Sequence, residues 1–137
     1  MAHQSKHLDK IWSNSNFKMP SDVEWIPYSM PLTLAGNKIH ESWKETYDMI
    51  TNEIKDIEFD IALLSCGGYG APLSNFIYEE LNKTAIYIGG GLQILFGIRG
   101  KRWDNRDDFK PLFNQHWIYP TNEPNNNHLV ENGCYWK

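Results

Sequence analysis

The chain has 137 residues, a net charge of −4 and 41% apolar residues, a composition that suits one folded domain able to bury a core. The mild acidic balance, with no block of like charges, points away from nucleic acid or an anionic membrane as the main partner. No apolar run approaches the roughly 20 residues of a membrane helix, and Met-Ala-His-Gln-Ser-Lys-His at the N-terminus is not followed by the apolar run of a signal peptide.

Cys66 and Cys134 are the only cysteines, too few for a disulfide framework, so a reducing, cytoplasmic location is expected. In chain order, residues 1–20 read as a disordered or helical lead-in, with Leu8–Trp12 as the helical part. Val23–Tyr28 reads as a short strand that Pro27 confines to a sheet edge, because proline cannot donate to the ladder. Gly36-Asn37 marks a turn. Ser42 with Glu45 three residues on forms a capping box. Trp43, Tyr47, Ile50, Ile54 and Ile57 then follow at helical spacing as one apolar stripe.

Phe59–Ser65 is apolar at successive positions, the pattern of a strand covered on both faces. Pro72 suits the first turn of a helix whose buried face is Leu73, Phe76, Ile77 and Leu81. Asn82-Lys83 turns the chain into a strand over Thr84–Ile88. Gly91–Ile98 reads as a short, nearly all-buried helix stopped by Gly100. From Trp103 onward periodicity is lost: Asp107–Phe113 has room for one or two helical turns, Asn122–Asn127 is a polar loop, and Tyr135-Trp136 is expected to dock back on the body.

The expected fold is α/β: a small three-layer Rossmann-like unit with a short, mostly parallel sheet of three strands and an irregular aromatic-rich tail over 104–137. The whole of 1–137 is read as a single domain. The link between the two strong strands should be right-handed.

Two glycine-rich turns carry the functional signal. Cys66-Gly67-Gly68-Tyr69-Gly70 follows the first strong strand, and Gly89-Gly90-Gly91 follows the second. Parallel neighbours would bring both turns to one sheet edge, where backbone N–H groups and helix N-termini favour an anion, most often a phosphate. The bland reading is a tight turn of an ordinary α/β fold. Gly68-x-Gly70 is present, but the third glycine of the dinucleotide fingerprint is replaced by Leu73, and Tyr87-Ile88-Gly89 offers no acid for a ribose. A Walker loop is excluded, since no Gly-Lys-Ser/Thr follows.

Further candidates surround these turns. Tyr69 projects from the first. Gln93 is the one polar residue early in an apolar helix, serving either a neighbouring backbone group or a ligand. Arg99, Lys101 and Arg102 either complement the end of the preceding helix or clamp a diphosphate, with Trp103 stacking on a base or sugar. Cys66 reads as a small packed residue rather than a nucleophile, and His40 and His116 as structural. His3 and His7 have metal-like spacing on a terminus prone to fray, and Asp104, Asp107 and Asp108 read as a solvated run. No catalytic triad, paired-carboxylate site or metal cluster assembles, and no cofactor is expected.

The segments Phe59–Leu73 and Ala85–Trp103 resemble the core of an uncharacterised family of bacterial and viral proteins associated with polysaccharide biosynthesis. So do Pro31–Gly36, His40–Trp43, Asn114–Trp117 and Val130–Trp136. The resemblance covers roughly residues 28–136, which in that family form the C-terminal part of a longer chain. More distantly, strand–glycine turn–helix–strand–glycine turn is similar to the GT-D-fold glycosyltransferases. Their Asp-x-Glu metal motif aligns with Leu92 and Ile94, so the resemblance implies donor binding without that metal site.

The resemblance implies a sugar-nucleotide-binding, glycosyltransferase-like domain of surface glycan biosynthesis. Gly67, Gly68, Tyr69, Gly70, Gly89, Gly90 and Gly91 would hold the diphosphate. The competing expectation is a non-catalytic module that self-associates or docks on a neighbouring transferase domain.

Overall fold

The computed structural model describes residues 3–137. Its helices are α1 (Leu8–Ile11), α2 (Trp43–Ile54), α3 (Gly70–Glu79), α4 (Gly91–Leu95) and α5 (Lys101–Asp104), and its strands are β1 (Ile61–Leu64) and β2 (Thr84–Tyr87). This is a small mixed α/β fold with a short parallel sheet. The chain packs as two compact units, one of residues 3–28, 34–36 and 93–137 and one of residues 29–33 and 37–92. Among the described residues no helix is long and apolar enough to cross a membrane. Met1 and Ala2 of the expected lead-in lie outside the described residues.

In the second unit, α2 starts where its cap dictates. The Ser42 hydroxyl accepts the Glu45 N–H at 3.2 Å and donates to the Glu45 carboxylate at 3.0 Å. The buried face is Thr46, Ile50, Thr51 and Ile54 rather than the expected stripe. Trp43 is 62% exposed, and Ile57 lies beyond the helix end. Thr46 can replace a larger apolar residue because its hydroxyl lies 3.0 Å from His40 Nδ1, which satisfies it on burial. Thr51 does the same by donating to the Asp48 carbonyl at 3.0 Å.

β1 and β2 pair in parallel with Ile61 opposite Thr84 and Leu64 opposite Tyr87. The connection runs through α3, which buries Leu73 and Ile77. Tyr87 faces α3, with its ring against Gly70, so by strand alternation Ala62, Leu64 and Ala85 share that face. Ile61, Leu63, Thr84 and Ile86 form the other, on which Ile61 and Ile86 stay exposed. The expectation of a strand covered on both sides is thus corrected: β1 is packed on its α3 face and half open on the other.

The first unit is organised around the end of α4. This helix stops at Leu95, two residues short of a glycine at φ +65° that its sterics favour. The Gly97 N–H bonds to the Ile94 carbonyl at 3.0 Å and the Ile98 N–H to the Gln93 carbonyl at 2.8 Å, the paired closure that ends helices on a left-handed residue. The stop is therefore Gly97, not Gly100. Leu92, Ile94, Phe96 and Ile98 are buried, as the apolar run implies.

The N-terminal segment packs on this turn. Gln4, 2% exposed, donates its amide to the carbonyls of Phe96, Gly97 and His116 at 3.2, 3.3 and 3.0 Å. Trp12 Nε1 donates to the Leu95 carbonyl and Trp117 Nε1 to the Ile11 carbonyl, both at 3.0 Å. Of the two readings of residues 1–20, the helical one describes Gln4–Lys6 and Leu8–Ile11. Trp136 is buried, and its ring N–H donates to the Asn122 carbonyl at 3.2 Å.

Val23–Tyr28 forms no strand, which leaves two strands among the described residues instead of three. Pro27 removes a donor from the segment, and Trp25 is engaged by a side-chain contact, edge-on to Phe96 at 5.2 Å.

Candidate functional site

The two glycine turns lie in the second unit and leave the same edge of its sheet. The parallel register sets Leu64 beside Tyr87. The next two amides, of Ile88 and Gly89, both donate to the Leu64 carbonyl, at 2.9 and 3.1 Å. The second turn therefore begins directly beside the point where β1 passes into the first, the strand-end crevice at which α/β sheets bind ligands.

The first turn is a single 3-10 turn, Gly67–Tyr69, running straight into α3. Gly67 has φ +53° and Gly89 φ +65°, backbone that favours glycine. Gly68 has no such requirement. Beside Gly67, Gly68 and Gly89 a Cβ would enter open space, with nothing within 4 Å. Packing thus does not demand glycine at position 68; what its absent side chain leaves is approach to the backbone. Tyr69, at the N-cap of α3, supplies no side-chain cap to the helix, and the Gly67 and Gly68 amides meet no backbone acceptor among the described residues.

Gly70 is a different case. A Cβ there would lie 2.5 Å from the Tyr87 ring, and the Tyr87 hydroxyl donates to the Gly67 carbonyl at 3.0 Å. Tyr87 thus holds the first turn from β2 while remaining 49% exposed. The Tyr47 hydroxyl donates to the Pro72 carbonyl, in the first turn of α3, at 3.3 Å. Tyr69 is half-buried, with its hydroxyl 3.5 Å from Thr33 Oγ1. Tyr47 and Tyr87 were not among the expected ligand residues. The strand register brings Tyr87 to the turn and a helix–helix contact brings Tyr47, and neither leaves a local pattern. Burial pushes the Cys66 thiol up, away from the thiolate a nucleophile needs.

The remaining expected ligand residues belong to the first unit. The cations do not trail one helix end: α4 has finished before them, and Lys101 and Arg102 begin α5. Arg99 Nε donates to Asp104 at 2.9 Å, and its guanidinium lies 4.2 Å from the Phe113 ring centroid and 5.1 Å from that of Tyr119. The Tyr119 hydroxyl donates to the second Asp104 oxygen at 2.7 Å, which holds the phenol above its ordinary range. Asp104 is thus part of a packed pair, not of a solvated run.

Arg102 pairs with Glu131 and stacks over Tyr135 at 4.7 Å. Lys101 is exposed, and its ammonium has no carboxylate partner among the described residues. Gln93 Oε1 and Trp103 Nε1 are buried without hydrogen-bond partners among the described residues, and the Trp103 ring packs on Phe109 at 5.1 Å. Gly90 and Gly91 complete the second turn; a Cβ on Gly91 would meet Ile88 at 3.1 Å.

Among the described residues no group of three His, Cys, Asp or Glu side chains is placed to hold a metal ion. His3 and His7 meet edge-on, 4.8 Å between ring centroids. No protein-family model matches the chain, and no curated protein or solved structure matches it.

Proposed function

We propose that the second unit binds the diphosphate of a nucleotide sugar across Gly67–Gly70 and Gly89–Gly91, as a glycosyltransferase-like domain of surface glycan biosynthesis. The observation that carries this reading is the shared Leu64 carbonyl, which ties the start of the second turn to the end of β1. Open space beside Gly67, Gly68 and Gly89 supports it, because an anion can approach the backbone there. The start of α3, a helix ten residues long with no side-chain cap, adds the favourable end of a helix dipole.

On this reading the Gly67 and Gly68 amides do most of the work in the first turn, since those of Tyr69, Gly70 and Gly89 already donate to the Cys66, Gly67 and Leu64 carbonyls. Arg99 and Arg102 already have carboxylate and aromatic partners, so they serve the first unit's packing rather than the anion. Gln93, Lys101 and Trp103 lie in the first unit and are not needed by this reading. Sugar transfer at such a site would depend on stabilising the leaving diphosphate by fixed dipoles. A Rossmann-like ancestry and a cytoplasmic setting belong to the same proposal; the latter is supported by two free cysteines, Cys66 and Cys134.

A thermal-shift panel of UDP-, GDP-, dTDP- and CMP-sugars tests it. A ligand present at a hundred times its Kd should stabilise the protein by about 2.7 kcal/mol. No shift with any of them would end the reading.

A second reading is favoured by one observation. Ile61 and Ile86 are exposed on the sheet face away from α3, as in a module that self-associates or docks on a transferase domain. Sizing chromatography across a concentration series tests that: a strict monomer throughout would remove the homo-oligomer form of it.

A further inference from the structure

We infer that Trp43 is the platform on which the base of a nucleoside diphosphate stacks, an inference that rests on the diphosphate reading above. Trp43 opens α2, yet it is 62% exposed while Ile50 and Ile54 of the same helix are buried. Its one ring neighbour among the described residues is Tyr47, met edge-on at 6.0 Å between centroids. An exposed indole with a free face is a surface every base can stack on, because each base has a π-face.

Its placement is what makes this specific. The Tyr47 hydroxyl donates to the Pro72 carbonyl in the first turn of α3, so Tyr47, in the first half of α2, touches the start of α3. The start of α3 is the end of the Gly67–Gly70 turn. Trp43, one helical turn before Tyr47, therefore stands at the same end of the unit as the glycine turns. Tyr87 closes the other flank of the first turn through its hydroxyl on Gly67. A polar backbone strip bordered by aromatic rings fits a ligand with an anionic middle and a flat apolar end.

Equilibrium titration of the full chain with UDP, GDP and inorganic pyrophosphate tests the assignment. The wild-type protein should bind at least one of the two nucleotides more tightly than pyrophosphate. Trp43→Ala should weaken that nucleotide by about tenfold to a hundredfold, the range for loss of one base–aromatic stack, and leave pyrophosphate binding unchanged. Trp43→Leu should behave like Trp43→Ala, and Trp43→Phe should retain most of the affinity.

Equal affinity of the wild-type protein for pyrophosphate and both nucleotides, or nucleotide binding unaltered by Trp43→Ala, overturns the stacking role and leaves the diphosphate site standing. Binding of neither pyrophosphate nor nucleotide overturns both. A Trp43→Ala protein that loses self-association but not nucleotide affinity assigns the exposed ring to a contact between copies of the chain, and also overturns the proposal.

Discussion

The side-chain amide of Gln4 donates to the carbonyl of Gly97, 93 residues away in the sequence, at 3.3 Å. The same group reaches the Phe96 and His116 carbonyls. A helix end leaves carbonyls without intrahelical partners, and here a buried glutamine supplies the donor. Gln4→Ala should destabilise the protein by about 1–3 kcal/mol, the cost of leaving the Phe96 and His116 carbonyls without this donor, while the Gly97 carbonyl keeps the Ile118 N–H at 3.0 Å. Urea unfolding gives the value; a change within error would show that water serves these carbonyls equally well.

Gly97→Ala should be more damaging than an average surface change. The residue sits at φ +65°, and its Cβ would lie 2.6 Å from Ile11 Cγ2. Left-handed strain alone costs about 1–2 kcal/mol, and the clash with a fully buried isoleucine adds to it. A melting temperature equal to wild type would mean that α4 ends differently.

Gly68→Ala should separate packing from binding. With open space beside it and no left-handed backbone, the alanine should shift stability by no more than about 0.5 kcal/mol. The new methyl stands between backbone and anion, so affinity for the best nucleotide sugar in the panel should fall. Unchanged affinity in a stable variant would move the ligand away from the first turn.

Arg99→Ala tests whether that cation holds the fold or a ligand. Its side chain is 28% exposed, against 23% for its partner Asp104. Removing it takes away a charge-assisted hydrogen bond and two aromatic contacts. A loss of about 1–3 kcal/mol in urea unfolding is expected. An unchanged midpoint together with weakened nucleotide binding would restore the clamp.

His7 should make stability depend on mild acid. Burial, with the positive charges of His3, Lys10, His116 and Lys6, holds its imidazole below the ordinary histidine range. The unfolded chain, near pKa 6.5, therefore takes up the proton first. The contribution is present above that pH and is lost as pH falls through it toward the folded value. The urea midpoint should drop between pH 7.5 and 5.5, and His7→Gln should flatten the drop; an unaltered slope would assign it to other groups.

The middle of the chain was legible because its signals are local. The Ser42–Glu45 cap, the Leu73 and Ile77 face, and the two apolar strands separated by a helix all appear in the structure. What could not be read depends on distant partners. Val23–Tyr28 has strand-like residues but joins no sheet, with Trp25 held by Phe96 instead. The buried face of α2 includes Thr46 because His40 satisfies its hydroxyl, and an apolar count passes over such a residue in favour of Trp43. Gln4 reads as lead-in until the carbonyls it serves are known. At the site, the glycine turns announced themselves, while Tyr87 and Tyr47 became visible only through strand register and helix contact.

The long reach of Trp117 to Ile11, across 106 residues, has a consequence for biogenesis. A ribosome releases the chain from its N-terminus, so Gln4, Ile11 and Trp12 emerge long before the carbonyls and rings they will meet. The strand–helix–strand element, complete by residue 92, can condense first. The early segment must wait with Ile11 and Trp12 uncovered, an interval in which a chaperone or a neighbouring nascent chain can capture it.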